Sequence, residues 1–198
     1  MAEESLEGGY FDALYAGNPD PWGFQTRPYE ASKYALTLAT IPQRRPRHAL
    51  ELGCSIGVLS QRLGRRCERV LAVDVADAAL AQARERCRDQ PHVRFRRMQV
   101  PRQMPDGIFD LILLSEMGYY LSRADLRALR QALLARLLPG GSLLLVHWRP
   151  EVADYPLTGD EVHELFLESD SRLRHRRAHR DEFFRLDLWE RTPASSTA

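Results

Sequence analysis

The chain has 198 residues, of which 44% are hydrophobic and 28% charged, and a formal net charge of +1. This length and mix suit one globular domain with a full core, and the near-neutral balance implies no general polyanion-binding surface, so no nucleic-acid partner is expected. No stretch reaches the roughly 18 apolar residues of a membrane span, and the three cysteines, Cys54, Cys67 and Cys87, lack metal-ligand spacing, so the expectation is no membrane partner, no metal and a reducing, cytoplasmic setting.

The N-terminus, Met1-Ala2-Glu3-Glu4-Ser5, is acidic and polar and has no signal-peptide pattern. Residues 1–9 are expected to fray. Tyr10 to Tyr15 reads as one or two helical turns with an aromatic face, stopped by Gly17-Asn18-Pro19-Asp20-Pro21. Pro28 suits a first helical position, and Tyr29 to Thr40 reads as a helix. Strands are then expected at His48–Leu52, Arg69–Val73, Val93–Arg97, Phe109–Leu114 and Ser142–His147. Helices are expected at Gly57–Arg65, Ala76–Arg88 and Arg123–Leu137, the last capped by Ser122 with Asp125 at the third helical position. Pro139-Gly140-Gly141 reads as the turn into the fifth strand.

Thr158-Gly159-Asp160-Glu161 is a capping box for a helix over Gly159–Glu168. Arg172–Arg180 and Glu182–Arg191 read as two strands joined near Asp181, the basic run over Arg172–Arg177 being protective charge on an edge. The alternation of strand and helix means βαβ units. The expected architecture is α/β and Rossmann-like: a seven-stranded, mainly parallel sheet with a C-terminal antiparallel hairpin and helices on both faces. Residues 1–198 are read as one domain, with 1–27 a lid segment and 193–198 a disordered tail.

The first strand ends in Glu51-Leu52-Gly53-Cys54-Ser55-Ile56-Gly57, and the second ends in Asp74, about twenty residues on. The glycines let the backbone bend sharply and approach a ligand. An acid at the tip of the second strand is where a ribose diol is held. The turn reads Glu-x-Gly-x-x-x-Gly, not Gly-x-Gly-x-x-Gly. An acid there repels a pyrophosphate and attracts a cationic methionine amino group. The pattern resembles motif I of class I S-adenosylmethionine-dependent methyltransferases.

A closer resemblance follows from three further stretches. They are Tyr10-Phe11-Asp12-x-Leu14-Tyr15 with Asp20-Pro21-Trp22, then Tyr29-Glu30-x-x-Lys33-Tyr34, then Phe109-Asp110-Leu111-Ile112-x-x-Ser115-Glu116-x-x-Tyr119-Tyr120-Leu121. Together with the glycine turn they resemble the nodulation protein S (NodS) family over roughly residues 10–190. The resemblance implies S-adenosylmethionine as cofactor and N-methylation of a free amine on an amino sugar or chitooligosaccharide-like small molecule.

For the cofactor, Glu51 is expected at the methionine end and Asp74 on the ribose hydroxyls. Gly53, Cys54 and Gly57 belong to the turn. Val75 is expected to pack on adenine. Many class I enzymes carry an acid after the third strand, but here Arg97-Met98-Gln99-Val100-Pro101 stands in its place. Gln99 is the candidate acceptor for the adenine amine, with Met98 on the ring. Val100 and Ser115 complete the set. The family places an aromatic and an arginine over the cofactor, which here are Trp22 and Arg27, the arginine paired with a carboxylate.

Glu116, Tyr119 and Tyr120 follow the fourth strand, on the edge that faces the transferred methyl. Glu116 and Tyr119 are candidate catalytic residues, and all three are candidate acceptor contacts. His147 is an alternative base. The alternatives are a small-molecule O-methyltransferase and a non-catalytic S-adenosylmethionine-binding regulator. Leu114-Ser115-Glu116-Met117 stands where adenine and glutamine N-methyltransferases carry N/D-P-P-Y/F. A monomer or weak homodimer is expected.

Overall fold

The computed structural model describes residues 4–168 and 170–193. The tail expected over 193–198 lies, beyond Pro193, outside the described residues. Seven strands form one sheet: β1 (Ala49–Leu52), β2 (Val70–Asp74), β3 (Val93–Arg97), β4 (Phe109–Ser115), β5 (Leu137–Trp148), β6 (Leu173–Arg180) and β7 (Phe184–Arg191). The helices are α1 (Gly8–Gly17), α2 (Pro28–Thr40), α3 (Val58–Gly64), α4 (Asp77–Arg86), α5 (Arg123–Arg136) and α6 (Gly159–Leu167), with a short 3-10 turn at Gly118–Tyr120.

The sheet order is β3-β2-β1-β4-β5-β7-β6. β1 pairs in parallel with β2 and β4, and β7 runs antiparallel between β5 and β6. This is the expected class I topology. Both sheet faces are covered, which is why the central strands are continuous apolar runs. Leu50, Leu52, Ile112 and Leu114 enter one core with Phe11 and Tyr15 of α1 and the apolar faces of α5 and α6. Ala49, Leu111, Leu113 and Leu144 enter the other with Tyr34 of α2 and Leu59 and Leu63 of α3.

The strand order reverses between β1 and β4. That switch point opens a crevice at the carboxyl ends of the strands. Leu52 pairs with Leu114, so Gly53 leaves β1 beside Ser115, the last residue of β4. Both anticipated caps form. The Ser122 side chain accepts from Asp125 N–H, and Thr158 and Glu161 close a capping box.

Three expectations change. Pro139-Gly140-Gly141 is not a turn before the fifth strand but an irregular stretch inside β5. Phe109 pairs with Leu137 while Leu111 pairs with Ser142, so the extra residues bulge out, with Gly140 at φ 76°. The first helix is longer than two turns. Residues 5–9 are tied down rather than frayed: Leu6 N–H donates to Tyr120 O at 2.8 Å, and Ser5 Oγ accepts from Ser122 N–H at 2.8 Å.

Candidate active site

Gly53 and Gly57 both sit at positive φ, 78° and 77°. A Cβ on Gly53 would come 2.7 Å from Ser115 O, so the bare backbone is what lets β1 and β4 converge. A Cβ on Gly57 would come 2.8 Å from the Cβ of Ala83, so this glycine serves the packing of α3 on α4. Ser55 (φ 47°) and Glu116 (φ 55°) are non-glycine residues held in the left-handed region, one on each side of the switch point. Such strain persists only where the surroundings over-determine it, and it clusters at functional sites.

Two cavities flank the turn. The larger holds about 700 Å³, part of it open to solvent, within the usual size of a ligand site. Trp22, Gly53, Asp74, Val75, Met98, Gln99 and Val100 line it, together with Glu116 and Tyr120. Leu6, Phe11, Tyr15 and Phe24 from the N-terminal segment close it over. The smaller holds about 290 Å³ and is lined by Glu51, Gly53, Cys54, Ser115 and Glu116 among others. Gly53 and Glu116 belong to both.

Each carboxylate has a distinct environment. Asp74 Oδ2 accepts from Ser55 N–H at 2.8 Å and Oδ1 from Ala76 N–H at 3.0 Å. Burial raises its carboxyl above the ordinary range, opposed by these backbone donors. Glu51 is buried, with Ser60 Oγ–H donating to Oε2 at 2.6 Å. Burial pushes its carboxyl up to about 8.

Glu116 is held by three donors. Lys33 Nζ lies 2.5 Å from Oε1, while Tyr119 OH (2.6 Å) and Trp148 N–H (3.0 Å) donate to Oε2. Lys33 Nζ also donates to Glu30 Oε1 at 3.0 Å and lies in ion-pair contact 2.9 Å from Oε2. Burial raises the Glu30 carboxyl, and the two carboxylates outweigh burial to raise the Lys33 ammonium.

Four expected site residues stand elsewhere than anticipated. Arg27 is exposed at the N-terminus of α2, its side chain folded over Gly23, and lines neither cavity. Gly57 also lines neither, because its close neighbour is Ala83. Tyr119 is buried behind Glu116 and stacks on Tyr155 rather than facing a cavity. His147 does not reach the reactive edge. It is fully buried, and its Nε2 accepts from Gly118 N–H at 3.1 Å. That puts its proton on Nδ1, 3.0 Å from His163 Nε2, and His163 Nδ1 in turn donates to Asp187 at 2.7 Å. Burial lowers His147 well below its ordinary value and lowers His163 against the pull of Asp187, so His147 holds the loop after β4 and is not an accessible base.

Lys33, Glu30, Ser60 and Phe24 are site residues to which no role is assigned from sequence. Lys33 and Glu30 lie in the Tyr29–Tyr34 stretch, where their i,i+3 spacing is the signal that pairs them. Phe24 stacks on Trp22 with centroids 5.6 Å apart. Asp20 orders this turn by accepting from Phe24 N–H at 2.9 Å and Gln25 N–H at 3.0 Å. Gln99 donates its amide to Glu7, which fixes its orientation. Among the described residues no cluster of three or more His, Cys, Asp or Glu side chains could hold a metal ion, and no helix is long and apolar enough to cross a membrane.

Comparison with known proteins gives one consistent picture. Residues 15–180 match the family described as Nodulation protein S (NodS). Nodulation protein S of Rhizobium tropici is 33% identical over 129 residues, 63% of this chain and 53% of that protein, so the match spans about half of that relative's length. A crystal structure of a candidate methyltransferase from Pseudomonas syringae is 42% identical, with a TM-score of 0.74 over 83% of this chain and 100% of that one. The N-methyltransferase NodS from Bradyrhizobium japonicum WM9, in complex with S-adenosyl-L-homocysteine, shares the fold at a TM-score of 0.83 and 21% identity, over 94% of this chain and 99% of that one.

Proposed function

The chain belongs to the Nodulation protein S (NodS) family, and from that premise we propose that it is an S-adenosylmethionine-dependent N-methyltransferase acting on the free amine of an amino sugar or chitooligosaccharide-like small molecule. The observation that carries this reading is Glu116, strained and hydrogen-bonded where the two cavities meet. The reading treats the chain as one methyltransferase domain, with residues 1–27 as its lid.

The residues fit the cofactor. Asp74 lines the larger cavity and keeps acceptor positions beyond its two backbone donors, as a ribose diol requires. Val75, Met98 and Val100 give that cavity apolar walls for adenine. With its amide nitrogen on Glu7, Gln99 keeps its carbonyl oxygen for the adenine amine. Glu51 lines the smaller cavity, where the methionine ammonium would meet it. When bound, the cofactor supplies an electrophilic methyl on a cationic sulfur.

The chain's own residues do the rest. Trp22 and Phe24 cover the larger cavity and exclude water, which strengthens electrostatics inside. Asp74 and Glu116 line the larger cavity and Glu51 and Glu116 the smaller, and among the described residues no lysine or arginine lines either, so the site favours cations such as an alkylammonium. Glu116 fixes one N–H of the acceptor and accepts the proton lost before attack. Tyr120 walls the larger cavity beside it. Much of the rate then comes from alignment.

Methyl transfer from labelled cofactor to a panel of glucosamine oligomers and hydroxyl controls tests this. The wild-type protein is expected to methylate the amines. Glu116→Gln is expected to lower kcat/KM for an amine by roughly 10²–10⁴ and to leave S-adenosylhomocysteine affinity nearly unchanged. The loss should shrink as pH rises and free amine accumulates. Transfer to hydroxyls alone would overturn the amine reading.

A further inference from the structure

Of the 28 lysines and arginines in this chain, Lys33 is the only lysine. Surface cations are arginines throughout. The one lysine lies instead in α2 with its side chain 2% exposed, between Glu30 and Glu116 and against the rings of Tyr29 and Tyr34. A buried charge is costly unless paired and hydrogen-bonded. Lys33 meets that demand from two carboxylates of different elements, one on its own helix and one after β4.

The arrangement constrains Glu116. A carboxylate offers about four lone-pair positions. On Oε2, Tyr119 OH and Trp148 N–H take both. On Oε1, Lys33 takes one. Glu116 is the member of this cluster that lines both cavities. Glu30 lines neither, so it anchors the lysine from behind. A compact ammonium on a flexible stem can bridge two such oxygens, where a planar guanidinium would impose its own fork.

Resting on the methyltransferase reading above, we propose that Lys33 is a positioning residue for methyl transfer. Held between Glu30 and Glu116, its ammonium orients the Glu116 carboxylate and leaves one lone-pair position on Oε1 for an N–H of the acceptor amine. Lys33 touches neither acceptor nor cofactor. Its effect passes entirely through Glu116.

Lys33→Met alone leaves two buried carboxylates without a cation and can fail to fold. The test therefore compares Glu30→Gln/Lys33→Met with Glu30→Gln, which isolates the lysine. The double variant is expected to lose about 10–100-fold in kcat relative to Glu30→Gln, the scale of a misplaced reacting group. KM for a glucosamine disaccharide should rise less than kcat falls, because Glu116 and its two Oε2 donors remain in place, and S-adenosylhomocysteine affinity should stay within about threefold. A second readout needs no turnover. Lysine labelled with ¹⁵N at Nζ gives one side-chain signal in this chain, and the disaccharide added with S-adenosylhomocysteine should shift it. Equal kcat in the two variants, or an unmoved signal on saturation, overturns the role of Lys33. A wild-type protein that binds S-adenosylhomocysteine yet methylates no amine overturns the underlying acceptor reading instead.

Discussion

At the scale of single residues, the two carboxylates expected to meet the cofactor differ in what holds them. Asp74 is fixed by two backbone N–H donors and faces the larger cavity. Asp74→Ala is expected to weaken S-adenosylhomocysteine binding by roughly 1.5–3 kcal/mol, the scale of hydrogen bonds to a charged group. Calorimetry giving wild-type affinity would remove Asp74 from the site. Glu51 has one hydroxyl donor and a carboxyl raised to about 8, so at pH 7 it carries a proton. A cationic ammonium beside it favours the charged form and drives that proton off. Cofactor binding at pH 7 should therefore release close to one proton, read from calorimetry in buffers of different ionisation enthalpy. Glu51→Gln should abolish the release, and a wild type that releases none would show that no ammonium approaches Glu51.

At the scale of elements, the segment from α1 to the start of α2 closes the larger cavity through Phe11, Tyr15, Trp22 and Phe24. Tyr15 OH bonds Ser55 Oγ at 2.5 Å, so the cover latches directly onto the glycine turn. Backbone amides over residues 10–27 are expected to exchange more slowly with S-adenosylhomocysteine bound. Equal exchange in both states would make the segment a static cap. Local elements were the legible ones. β1, its glycine turn and α3 announce themselves because the apolar run, the positive-φ glycines and the amphipathic helix lie within sixteen residues, 49–64. The partners of Glu116 were not legible. Lys33 is 83 positions away in sequence and Trp148 is 32, and both meet it only after the sheet has closed. His147 misled for the same reason. Its position at the carboxyl end of β5 is on the functional edge, but its ring points into the contacts with α6 and β7, where His163 and Asp187 claim it. Strand periodicity gives the edge of the sheet, and only the packed helices decide which side chains remain available.

At the scale of the whole molecule, groups that titrate differently in the folded and unfolded chain set how stability depends on pH. Asp160, Asp170, Asp181 and Asp187 have lowered carboxyls. Their contribution is present above the ordinary carboxylate range and is lost as acid protonates them. His147 and His163 are lowered as well. The unfolded chain binds more protons at these sites, so they add stability as pH rises through about 6.5 and little beyond about a unit above it. Glu51 acts with the opposite sign. Its folded carboxyl, at about 8, lies above the unfolded value, so the folded state binds the extra proton. Stability from this residue is full below the unfolded value and falls as pH rises toward 8. Glu30 and Asp74 are raised too, and act in the same direction. Above about pH 7 the lowered carboxylates no longer titrate in either state and the histidines add little, so the raised carboxyls, Glu51 at about 8 among them, set what changes. Between pH 7 and pH 8 the ligand-free protein should lose about 1 kcal/mol, or about 2–4 °C in Tm for a chain of this size. Glu51→Gln keeps an acceptor for Ser60 and removes the titration, so its Tm should be nearly level over that interval. Saturating S-adenosylhomocysteine should level the wild-type curve in the same way, because a bound ammonium already holds Glu51 ionised. Thermal melts at both pH values, for both proteins and with and without ligand, check all of this. A Glu51→Gln curve as steep as the wild type would show that the pH dependence arises elsewhere in the fold.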